Sequence, residues 1–242
     1  MKRAKFTKYL FLLTAFLASQ FCYSTQRNDT IKFVFNPKIE GGCIKLDTKY
    51  FFQKTQTNIT FSEIKFYISG IQFLKSGKIV FKEKMSFHLT DLRKNATLSF
   101  FILTKSKIEF DEVRFTFGID SVTNELGIGE GDLDPIQGMY WAWQSGYINC
   151  KLEGTIEEAN SKSEKFEFHL GGFLAPFQAW KNRSLQIENK KNINLDIHFD
   201  SLFHEVITSN EKELKVMSPG KRTVYLSSLI ANSIQISKDE KP

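Results

Sequence analysis

Three cysteines in 242 residues are too few for a disulfide-stapled scaffold, so this chain must hold its fold by burying a core. It has no Gly-x-Ser-x-Gly elbow, no His-Glu-x-x-His, no phosphate loop and no dinucleotide fingerprint. No two carboxylates stand at a spacing that suggests glycoside hydrolysis. With no acid–base or nucleophile constellation in view, the expectation is a binding protein and not an enzyme. Internal repeats and low-complexity segments are absent. The formal charge of +6 suggests a basic protein, but Lys2, Arg3, Lys5 and Lys8 all lie at the extreme N-terminus. Without residues 1–24 there remain 29 basic and 27 acidic side chains, a net +2. No basic stripe interleaved with aromatics survives, which argues against nucleic acid as a partner.

The N-terminus has its own explanation. The basic start leads into an apolar run, Tyr9 to Phe21, that is short for a bilayer span and is followed by small residues. Residues 1–24 are therefore expected to be a signal peptide cleaved near Ser24, leaving no stable membrane span. Bulky Phe21 before Cys22 argues against lipidation. The mature protein is expected to be periplasmic or secreted, with residues 25–242 forming a single domain. Cys43 and Cys150 are left in an oxidising compartment. Alternation sets Cys150 on an apolar face with Ile148 and Leu152, and Cys43 on a polar one with Lys45 and Asp47, so their pairing stays open.

What the sequence has in plenty is phenylalanine, 24 residues of it, in short runs of period two. IKFVF (31–35), CIKLDTKYFF (43–52), EIKFYIS (63–69), GIQFLKS (70–76), KIVFKEK (78–84) and SFHLTDL (86–92) read as strands, with Gly70 as a turn. SFFILTK (99–105), EVRFTFGI (112–119), KFEFHL (165–170) and NINLDIHFD (192–200) continue the series. In KFEFHL, Phe166, Phe168 and Leu170 point inward and Glu167 and His169 outward. Residues 177–185, around Trp180, read as an irregular or short helical excursion. Asp200 is placed to cap a short helix through SLFHEVIT. The last apolar segment, TVYLSSLIANSIQIS, mixes helical and strand signals. These elements predict an all-β chain, an antiparallel β-sandwich or partly open barrel with a few short helices.

Residues 120–135 interrupt the strands. Asp120, Glu130, Asp132 and Asp134 lack the spacing of a twelve-residue calcium loop and read as a solvated connection. That loop delivers the chain to DPIQGMYWAWQSGYINCKLEG (134–154), where strand alternation would put Met139, Trp141 and Trp143 on one side. A buried aromatic stripe is the plain explanation of such a segment. The four histidines, His88, His169, His198 and His204, fit structural or surface roles unless a site gathers them.

The stretch GDLDPIQGMYWAWQSGYINCKLEG, followed from Phe166 by FEFHLGG, resembles the MbnP-like copper-binding family. IKLDTKYF, EVRFTFGIDSVTN and LIANSIQI extend the resemblance over roughly residues 40–236. It implies an exported β-rich protein, in some cases encoded beside a di-haem peroxidase-like redox partner. It also implies copper held by histidines and by a tryptophan oxidised to kynurenine. Trp141 or Trp143 matches the family's tryptophan segment, and His169 matches its His-Leu-Gly strand end. Met139 and His169 would supply the thioether and imidazole that copper(I) accepts. The chain departs from the pattern at Gly171-Gly172-Phe173, where some relatives have Gly-Ser-x-Gly-Cys, and no second histidine stands beside the tryptophans. The alternative is a glycan- or protein-binding sandwich, its copper site lost, that stacks a ligand on a platform of Tyr140, Trp141, Trp143 and Tyr147.

Overall fold

The computed structural model describes residues 29–143, 146–158, 161–187, 190–210 and 212–238. The expected signal peptide lies outside the described residues. Among them no helix is long and apolar enough to cross a membrane.

The organising element is a strand of nineteen residues, β4. Before it come β1 (Asp29–Ile39), β2 (Gly42–Cys43) and β3 (Lys49–Phe52), and β4 itself spans Thr57–Lys75. The segments EIKFYIS and GIQFLKS are thus one strand. Gly70, read from the sequence as a turn, has φ +62° at a bulge within it, a conformation that glycine adopts without strain. CIKLDTKYFF, read as one strand, is instead broken into β2 and β3 by a turn in which Asp47 has φ +59°. On one edge β4 pairs with β10 (Gly146–Glu158) and, on both sides of the bulge, with β8 (Glu112–Phe117). It also pairs with β3, β5 (Lys78–Lys82) and β6 (Phe87–Asp91). With β9 (Tyr140–Trp141), β11 (Glu164–Gly171), β12 (Lys181–Gln186) and β14 (Lys215–Val216) these make a ten-stranded sheet. Residues 181–186 are a regular strand on β8, not a helical excursion. The sequence signal was weak because β12 alternates between half-buried and exposed positions, without an apolar face.

The second sheet has five strands: β1, β2, β7 (Ser99–Thr104), β13 (Asn192–His198) and β15 (Ile234–Ile236). Here β13 runs parallel to β1, whereas β2 and β7 pair with β1 antiparallel. Most remaining pairs are antiparallel, and the architecture is the all-β sandwich that the period-two runs imply.

The main core fills the space between the sheets. Phe33 and Phe35 of β1 meet Phe66 and Phe73 of β4, while Phe166 and Phe168 of β11 meet Phe203. Phe203 comes from the helix Asp200–Thr208, which with the helix Lys221–Ser233 adds Leu202, Val206, Leu226 and Ile230 to the same cluster. Asp200 does not cap its helix through its side chain. That carboxylate accepts from the Glu40 amide at 2.8 Å instead, tying the helix start to the turn after β1. Cys43 is exposed and Cys150 is buried in the core, and both thiols are free.

Candidate functional site

A second, smaller cluster lies on the outer face of the ten-stranded sheet. Tyr67 of β4, Leu89 of β6 and Tyr147 and Ile148 of β10 face away from the main core. They are covered by Ile119, Leu133, Met139 and Trp141 from the connection between β8 and β10. That connection is not a loose solvated loop. Asp120 accepts from Thr123 at the start of the short helix Ser121–Glu125, Asp132 from the Leu89 amide, and Asp134 from Ile136. The Tyr67 hydroxyl donates to the Asp132 carbonyl at 2.7 Å, and the Tyr147 hydroxyl donates to the Leu133 carbonyl at 3.0 Å. Burial pushes both phenols above their ordinary range. Three of the acidic side chains predicted to be solvated, Asp120, Asp132 and Asp134, therefore fix this cover in place, while Glu130 is exposed as expected.

The cover brings Trp141 down onto β11. Its indole lies over Gly171, where an added Cβ would fall 2.8 Å from Cζ3 of the ring. His169 stands two residues earlier on the same strand, hence on the same face and about 6.6 Å away along it. So Trp141 and His169 occupy neighbouring positions of one surface. The Trp141 Nε1–H is buried with no hydrogen-bond partner among the described residues. Met139 is fully buried in the cluster that holds Trp141. Trp141 also walls an apolar cavity of about 280 Å3 with Phe173, Pro176, Phe177 and Pro219.

Trp143 is not buried with Trp141. Strand geometry ends at Trp141, the chain turns, and Trp143 is 66% exposed with its ring centroid 5.5 Å from that of Trp141. Tyr147 and Trp141 are 1% and 5% exposed. The four aromatics thus form no open platform, and the stacking surface expected from the alternative reading is corrected on that ground.

His169 sits at the border between this apolar cluster and an ordered strip of charge. Register lines up Asp91, Lys65, Lys151 and His169 across β6, β4, β10 and β11, beside a row of Glu63, Glu153 and Glu167. Lys65 and Lys151 reach Glu63 at 2.7 and 2.8 Å, and Lys151 reaches Glu153 at 3.2 Å. Burial acts to raise the Glu63 carboxyl, but hydrogen bonds from Lys151 and Lys65 outweigh it and hold that group below its usual range. Burial likewise acts to lower the Lys151 ammonium, and Glu63 and Glu153 outweigh it in the other direction. His169 Nε2 meets Glu153 Oε1 at 2.8 Å, so the second ring nitrogen is its available lone pair. A carboxylate on one imidazole nitrogen orients the ring and raises the basicity of the other, the usual support of a metal-binding histidine. Glu153 was missed in the sequence because only strand register reveals that it meets His169.

This donor set suits a soft ion of low coordination number: one oriented imidazole and one thioether in the adjoining cluster. The strip behind it carries two lysines against Glu63, Glu153 and Asp91, so its charge does not oppose a cation. No group of three or more His, Cys, Asp or Glu side chains gathers into a metal cluster among the described residues. The other histidines are engaged elsewhere. His88 meets Glu83 at 2.8 Å and stacks on Phe100, His198 contacts Gln235, and His204 is exposed on its helix.

No curated protein matches the sequence. Among solved structures, MbnP from Methylosinus trichosporium aligns with a TM-score of 0.56 at 14% identity, over 82% of this chain and 88% of that one, which shows a shared fold. The sequence itself matches the MbnP family over residues 28–218. That span takes in every strand but β15, the clamped connection, Trp141 and His169, and by it the chain belongs to the MbnP family.

Proposed function

We propose that this chain is an exported copper-binding protein, not an enzyme, with its metal site built on Trp141 and His169. The observation that carries the reading is the seating of Trp141 on Gly171, beside an imidazole whose Nε2 is held by Glu153. Membership of the MbnP family supports copper as the ligand class.

His169 supplies the imidazole and Met139 the thioether, both acceptable to copper(I). Trp141 becomes a ligand only after its pyrrole ring is opened. Uptake of two oxygen atoms gives the formyl compound, and hydrolysis releases the formyl carbon as formate, leaving an aryl amine and a ketone. This four-electron oxidation would draw its oxygen atoms from dioxygen or a peroxide, with an external redox partner of the di-haem peroxidase-like class as the catalyst. Trp141 suits the change better than Trp143. Its Nε1–H has no partner to lose, it borders a cavity, and it neighbours His169. Copper would gain from such a site a shielded, low-polarity setting between the Tyr67–Trp141 cluster and the charged strip.

The test is copper retention by protein taken from its native envelope, for the wild type and for His169→Ala, His198→Ala and His204→Ala. The reading expects loss in the first variant alone. Equal retention in all four, or none in the wild type, would remove the copper assignment and leave the fold untouched.

A further inference from the structure

Beyond the aromatic cluster, further along β4 around Gly70 and Gln72, the outer face of the ten-stranded sheet holds a second depression, a cleft of about 480 Å3. Its floor follows from strand register. Lys82 of β5 stands opposite Gln72 of β4, Gln72 opposite Arg114 of β8, and Arg114 opposite Ser184 of β12. Opposed residues share a face, and strands lie about 4.8 Å apart, so Lys82 and Arg114 stand roughly 10 Å apart with Gln72 between them. The floor continues through Thr116 and Asn182, and Gly70, at its bulge, contributes no side chain. Trp180 walls one end, its Nε1 donating to Ser121 Oγ at 3.1 Å.

The cleft is furnished for more than packing. Arg114 gives only Nε to Glu112, leaving its terminal amino groups available. Lys82 is exposed and has no ion pair among the described residues. Arg183, opposite the core residue Phe115, belongs to the other face of β12, where its guanidinium donates to Asn232 Oδ1 and the Ile234 carbonyl. On the cleft side the carboxylates of Asp120 and Glu112 are already engaged, the first by the Thr123 amide and the second by Arg114 and Ser184. Asn182 accepts from Thr116 through Oδ1, so its amide N–H groups remain as donors. A bare anion would use the cations and leave the indole and amides idle. A neutral sugar would do the reverse.

We propose that this cleft binds an acidic saccharide, its carboxylate between Lys82 and Arg114, its ring against Trp180 and its hydroxyls on Gln72, Asn182 and Ser184. The site is independent of the Trp141–His169 reading and shares none of its residues.

Titration calorimetry of the purified protein with a galacturonate trisaccharide, its neutral galactose counterpart and acetate tests it. The acidic trisaccharide should bind at least about tenfold more tightly than the neutral one, the usual worth of a charge-assisted pair, and acetate should give no measurable heat. Lys82→Gln, Arg114→Gln and Trp180→Phe should each weaken the acidic ligand, and added salt should do the same. Arg114→Gln also frees Glu112 from its partner, so Lys82→Gln, at an exposed side chain, keeps the result independent of folding. Failure of the acidic trisaccharide to bind overturns the proposal. So does equal affinity for the neutral sugar, acetate binding as tightly, or indifference to both charge substitutions.

Discussion

Trp141 occupies the space that a side chain at Gly171 would need. A Cβ there would lie 2.8 Å from the indole and 2.6 Å from the Tyr147 carbonyl, closer than real Cβ atoms approach. The glycine is required by contact, because nothing in its backbone conformation calls for one. Gly171→Ala should therefore cost about 1–3 kcal/mol, as overpacking of a filled site does, and should shift the tryptophan fluorescence as Trp141 is lifted. Urea denaturation with fluorescence measures both. An alanine variant of wild-type stability and spectrum would mean that the indole does not sit there.

Phe168 is fully buried against Phe166 and Phe203. Phe168→Ala should cost on the order of 3–5 kcal/mol. A loss below about 1 kcal/mol in equilibrium unfolding would place β11 in the wrong register.

That strand was the easiest to read in the sequence. Phe166, Phe168 and Leu170 alternate strictly with Glu167 and His169; the first three are buried in the core, and His169, although on the other face with Glu153, is itself buried. Legibility failed where the backbone departs from plain alternation. Gly70 resembles a turn residue, yet long-range pairing with β8 on both sides of the bulge keeps β4 continuous. At Trp143 alternation no longer predicts burial, because the chain turns directly after Trp141 and leaves the Trp143 ring exposed beside it. The candidate site was half legible. Motif resemblance picked out His169 and one of Trp141 and Trp143, but Gly171 as a seat and Glu153 as the orienting carboxylate depend on which strands pair.

Thiol labelling gives a simple check of burial. Cys43 is exposed, whereas Cys150 is fully buried and burial pushes its thiol well above the ordinary range. A thiol reagent should label Cys43 alone in the native mature protein and both after denaturation. Rapid native labelling of Cys150, or none of Cys43, would contradict the core assignment.

Acid should destabilise the fold through two carboxylates. Burial acts to raise both Glu63 and Asp196, but ion pairing and hydrogen bonding leave both below their unfolded values, Glu63 through Lys151 and Lys65, Asp196 through Lys38, Ser237 and Asn36. A depressed folded pKa contributes stability above the unfolded value, near 4 for these groups, and that contribution is lost as pH falls through the folded values. Lys151 is raised, so its contribution is complete below about 10.4 and fades as pH climbs past it. The melting temperature should hold through neutral pH and fall below about pH 4, less steeply in Glu63→Gln. A Glu63→Gln profile identical to wild type in acid would deny that carboxylate its role.

The central claim, that Trp141 beside His169 forms the copper site, is tested most directly by peptide mass mapping of the native protein made with its redox partner. The account predicts one oxygen gained and one carbon lost at Trp141, with Trp143 unchanged and copper retained in proportion to the modified fraction. The change at Trp143 instead, or full copper retention with both tryptophans intact, would contradict it.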